Sequence, residues 1–114
     1  MRADDATLLD ILNAARLVVD FTKGMHKSAF LADAKTQSAV LHQLLIVGEA
    51  VKRLSHQFRK DQPVLPWKTI AAMRDKLIHH YNGVDLDEVW RTLQRDLPNL
   101  IEEVERLVQQ DKDH

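Results

Sequence analysis

Residues 73–83 read MRDKLIHHYNG. The stretch holds an arginine and a tyrosine seven residues apart, Arg74 and Tyr81, with two histidines, His79 and His80, beside them. A guanidinium presents a rigid fork of N–H donors that matches the oxygens of a carboxylate or a phosphate. An imidazole takes up and releases protons near neutral pH. A phenol offers a hydrogen bond and a stacking face. Asn82 and Gly83, directly after them, form a helix-stopping pair.

At about 100° per residue of a straight helix, Trp67, Ile70, Leu77 and Ile78 fall within about 60° of Arg74, and Tyr81 within about 20°. Arg74 and Tyr81 therefore belong to the apolar stripe. A buried Arg needs a paired charge, so Arg74 taken alone reads as a packed stem whose head reaches a carboxylate. His79 falls about 140° from Arg74, in line with Asp75 four residues earlier. The two cannot converge within one straight helix. Two arrangements bring them together: the helix unwinds near Asn82-Gly83, or the site lies at a two-fold seam where a second copy supplies its own Arg and His. Asp75 is placed to accept a hydrogen bond from His79 and fix its tautomer. The adjacent His79 and His80 point apart and lack a third ligand, so no metal is expected. His26, His42, His56 and His114 are scattered and read as surface or loop residues.

The elements that must position these residues are helical. The chain has 114 residues, which makes residues 1–114 a single domain. Three Gly and three Pro encode few turns, so the elements are long. A first helix is predicted from about Asp5 to Lys23, with Leu8, Ile11, Leu12, Ala15, Val18, Val19 and Thr22 on its inner face. Asp4 or Asp5 would cap it and Gly24 would stop it; Leu17 and Phe21 lie off the stripe, either meeting a second partner or standing as scattered surface apolars. After a connector with a turn near Ser28–Ala32, Asp33 would cap a long helix to Arg59. That helix carries Val40, Leu44, Val47, Val51, Leu54 and Phe58, and is broadened by Leu41, Leu45 and Ile46. An interior Gly48 costs about 1 kcal/mol relative to Ala, which points to the close approach of another backbone. Pro66 would open the helix Trp67–Tyr81. Asp85, with Glu88 three residues on, resembles a capping box for the last helix, Leu86 to Gln110, with a kink or restart near Asp96 because of Pro98. The reading is an all-α, four- to five-helix up-and-down bundle.

Composition narrows the function. With no Cys, disulfides and thiolate chemistry are excluded, as suits a reducing cytoplasm. Neither a signal-peptide pattern nor a membrane-length apolar run is present. A formal charge of −1 argues against a broadly basic nucleic-acid binder but allows an enzyme with a locally basic cleft.

Arg74, His79 and Tyr81 form an R-x4-H-x-Y pattern, flanked by IVGEAVKRLS (46–55), LPWKTIAAMRDKLIHHYNGVDLDEVW (65–90) and DLPNLI (96–101). Together these resemble the HepT-like toxins of the HEPN superfamily, formerly the domain of unknown function 86 family, found in type VII toxin–antitoxin systems. The resemblance covers nearly the whole chain. It implies an all-helical homodimer with a composite cleft and a metal-independent endoribonuclease that needs no cofactor. Arg74 and His79 would be the catalytic pair. Tyr81 would help position RNA and receive AMP from ATP through a partner antitoxin, a minimal nucleotidyltransferase. Asp75 matches a polar residue often found after the motif Arg, and His80 stands where the family often has an acidic or small residue. The resemblance also implies an alternative, a non-catalytic binding module that presents a substrate to a nucleotidyltransferase.

Overall fold

The structure, a computed structural model, describes residues 3–65, 67–79 and 83–112. These form seven helices and no strand: α1 (Ala3–Phe21), α2 (Lys27–Leu31), α3 (Ala34–Arg53), α4 (His56–Asp61), α5 (Trp67–His79), α6 (Leu86–Arg95) and α7 (Leu97–Lys112). The all-α expectation holds, and the helices outnumber the four or five expected.

Local chemistry accounts for the extra helices. The second long helix was expected to reach Arg59, but α3 ends at Arg53 because Leu54 turns to an extended backbone. Ser55 then starts α4, its hydroxyl accepting from the Phe58 amide at 3.1 Å. Near Pro98 the chain restarts as expected, with Asp96 between α6 and α7. Asp33 caps α3, accepting from the Thr36 amide at 3.2 Å and its hydroxyl at 2.7 Å. These bonds to the charged form hold the Asp33 carboxyl below its ordinary range. Asp85 caps α6 through the amides of Asp87 and Glu88, but the Glu88 carboxylate turns to Lys76, 3.4 Å away, so the reciprocal half of a capping box is absent. Asp4, in the first turn of α1, ties that helix to the start of α4, accepting from the Ser55 amide at 2.9 Å and hydroxyl at 2.8 Å. Gly24, at φ 77°, ends the turn after α1 in a conformation that favours glycine.

α3 lies between α1 and α5, and α7 flanks α1 on its other side. The start of α1 meets the end of α3, through Asp4–Ser55 and Asp10–Arg53, so the two run antiparallel. Phe30 of α2 is fully buried and meets Trp90 of α6, ring centroids 5.3 Å apart. The predicted core positions of α3, α4, α6 and α7 are buried, from Val40 through Phe58 and from Val89 through Leu107. Val19 was expected inside, yet it is 42% exposed near the end of α1, although Leu8 and Leu12, which share its face earlier in the helix, are buried; Ala14 is buried at the other edge of the stripe. Leu17 and Phe21 are exposed. Among the described residues, no helix is long and apolar enough to cross a membrane.

Candidate active site

α5 is fastened along α3. At its start Trp67 is buried against the Phe58 ring, and its indole N–H donates to the Gln62 carbonyl at 2.8 Å. Farther along, the two backbones nearly touch at Gly48. A Cβ built there would overlap the Arg74 Cβ, and would lie 2.8 Å from its Cγ and 3.3 Å from its Cα. The expected close approach at this glycine is therefore real, and Arg74 is the residue that makes it.

The Arg74 stem is enclosed by that contact, leaving its side chain 23% exposed. Its Nη2 pairs with the Glu49 carboxylate on α3, and its Nη1 donates to Asp75 Oδ1 at 3.0 Å. The Nε is buried and, among the described residues, has no hydrogen-bond partner. Asp75 Oδ1 also accepts from Lys52 Nζ at 2.8 Å. Charges thus alternate across the seam: Lys52, Asp75, Arg74, Glu49. Lys52 and then Arg74 hold the Asp75 carboxyl below its ordinary range. Asp75, with help from Glu49, raises Arg74, against the opposing effect of its desolvation. Glu49 and Asp75 are nearly half exposed, so such pairs contribute little to stability. Their consequence is geometric, because they fix where the guanidinium points.

His79 closes α5 and is exposed. The helix is unbroken from Trp67, so unwinding does not bring His79 round to Arg74; it stands about 140° around and about 7.5 Å along the axis. The expected Asp75–His79 bond is not formed. Two cations, Lys52 and Arg74, take the carboxylate instead, since charge-assisted bonds outcompete one to an imidazole. Ile78, assigned to the apolar stripe, is 45% exposed beside Arg74. His80, Tyr81 and Asn82 lie outside the described residues, as do Pro66 and His114, while His26, His42 and His56 are exposed as expected. Sequence reasoning missed Glu49. Its signal was present: it follows the interior glycine and stands one turn before Lys52.

A groove of about 600 Å³ opens between α5 and the α6–α7 corner, with Val47, Ile70 and Leu100 in its floor and Lys76, Arg91 and Arg95 on its rim. Arg74 does not line this groove, and Lys76 on its rim lies about 200° from Arg74 around α5. Glu88 and Asp96 pair with Lys76 and Arg95, each at 3.4 Å, which offsets much of the rim's charge.

A family model described as Ribonuclease HepT-like matches residues 11–107. "Putative RNase MJ0127" of Methanocaldococcus jannaschii is 44% identical over 103 residues, covering 90% of this chain and 85% of the relative. "Probable ribonuclease HepT" of Thermococcus cleftensis is 44% identical over 100 residues, covering 88% and 91%. "Putative RNase TTE0752" of Caldanaerobacter subterraneus is 37% identical over 112 residues, covering 98% and 100%. No solved structure matches the chain. With α5 seated on α3 and matches that span nearly its whole length, the chain belongs to the HepT-like ribonuclease family of the HEPN type.

Proposed function

We propose that this protein is a metal-independent endoribonuclease, the toxin of a toxin–antitoxin pair, acting as a homodimer through Arg74 and His79. The observation that carries the reading is the held Arg74 guanidinium, reaching the surface at the α3–α5 seam with an exposed imidazole on the same helix. RNA supplies its own nucleophile. The 2′-hydroxyl loses its proton and its oxygen attacks phosphorus; the P–O5′ bond breaks and the 5′-oxygen takes a proton. The products are a 2′,3′-cyclic phosphate and a 5′-hydroxyl. His79 handles a proton, and Arg74 stabilises the added charge on the phosphate oxygens. The divergence of Arg74 and His79 on one helix favours a site shared between two copies. In this reading Tyr81 positions the RNA, and a nucleotidyltransferase antitoxin silences the toxin by attaching AMP to it. The adduct brings negative charge and bulk to the place a phosphate must occupy.

A second reading, a non-catalytic module for a nucleotidyltransferase partner, draws on the carboxylates that already engage both terminal nitrogens of Arg74. One experiment separates the two. Arg74→Ala and His79→Ala are each expected to abolish growth arrest on induction, and to lower RNA cleavage in chelator at least a hundredfold, with cyclic-phosphate ends in the wild-type products. Undiminished arrest by both variants would sink the nuclease reading, and wild-type cleavage only with added magnesium would sink its metal-independent mechanism.

A further inference from the structure

An Arg on a helix has a long, mobile side chain, and α5 alone gives Arg74 only Asp75 as a neighbouring partner. The rest of its setting comes from α3. Gly48 admits the stem, Glu49 takes Nη2, and Lys52 holds the carboxylate that takes Nη1. Both groups that grip the fork are therefore fixed through one turn of α3. We propose that Glu49 is a positioning residue for the ribonuclease reaction: it orients the Arg74 guanidinium so that the remaining N–H groups of its terminal nitrogens face the phosphate. This inference rests on the nuclease reading above.

The charges give the inference a signature. Lys52, Arg74, Glu49 and Asp75 sum to zero, so removing the Glu49 charge leaves the cluster one unit positive. A more positive cluster attracts RNA at least as well. A loosened fork, however, is misplaced in the transition state, where a shift of about 1 Å can cost about a hundredfold in rate. Loss of Glu49 therefore lowers the chemical step without weakening binding. A carboxylate that only stabilised the fold would change the folded fraction and leave kcat per folded molecule alone. A carboxylate that merely competed with phosphate would, when removed, raise activity.

The test compares the full-length wild type with Glu49→Gln, Glu49→Asp and Arg74→Ala. It reads kcat per folded molecule, and Kd for an RNA carrying a 2′-deoxy sugar at the cleavage site, which binds but cannot react. Glu49→Gln is expected to lower kcat by about ten- to a hundredfold with Kd unchanged or tighter. Glu49→Asp, which keeps the charge on a shorter arm, is expected to fall between Gln and wild type. A Glu49→Gln kcat within twofold of wild type, or above it, while Arg74→Ala is inactive would overturn the positioning role and leave the nuclease reading standing. Loss of activity that tracks only the folded fraction would overturn it too. Arg74→Ala cleaving like wild type would end both.

Discussion

At the residue scale, the α3–α5 seam turns on one guanidinium shared out among neighbours. Arg74 is neither a free surface cation nor a fully buried one: its stem lies against the α3 backbone while two carboxylates hold its head. That is the arrangement its place in an apolar stripe called for, since burial of an unpaired charge is costly. The pH dependence follows from Asp75. Its carboxyl lies below the ordinary range because of Lys52 and Arg74, so the folded chain binds its proton less readily than the unfolded chain. The stabilisation is complete above the unfolded value of about 3.9 and is lost as pH falls through the lower folded value. Thermal or urea denaturation of Asp75→Asn is expected to show a small deficit against wild type at neutral pH. The two should converge as pH falls through that lower folded value. A deficit that stayed constant or grew in acid would contradict the assignment.

At the element scale, the α3–α5 seam decides where the proposed site can be. Gly48 is the permissive point, and its expected response to substitution runs against helix propensity. Ala at an exposed helix interior would stabilise by about 1 kcal/mol over Gly. Here the new Cβ meets the Cβ and Cα of Arg74, atoms that cannot swing away. Gly48→Ala is therefore expected to destabilise by about 1–3 kcal/mol, the usual cost of overpacking. Because the obstruction is the Cβ rather than the guanidinium, the penalty should persist in an Arg74→Ala background. Urea unfolding of the four combinations checks both points, and a stabilised Gly48→Ala would show that the two helices do not meet as described.

At the scale of the whole molecule, shape bears on assembly. The chain measures 45 × 29 × 20 Å. Its shortest dimension is about two helix diameters, so several helices keep one side uncovered. Ile78 beside Arg74 is one such uncovered apolar residue. A two-fold pairing over this seam would cover it and could bring Arg74 of one copy to His79 of the other. The proposal has a direct test by mixing. Arg74→Ala and His79→Ala chains, each inactive alone, are reassorted by partial unfolding and refolding. Half of the dimers formed are mixed, and each mixed dimer regains one of two sites, so about a quarter of wild-type cleavage should return. No recovery from dimers shown to be mixed would place each site within a single chain.

Much of this was legible in the chain itself. Helical periodicity marked the buried positions of α3, α6 and α7, Asp33 and Asp85 announced their caps, and Pro98 announced the restart at Asp96. The interior glycine announced a close approach, and the apolar stripe announced a paired Arg74. These are properties of spacing along one helix, which sequence carries directly. Tertiary structure alone decided the rest: that Val19 and Ile78 stay exposed, that Asp75 turns from His79 to Lys52 and Arg74, and that Glu49 completes the grip. Each depends on which face of one helix meets which face of another. A periodic stripe leaves open both the rotation of a helix and how much of its length is covered, and only packing fixes them.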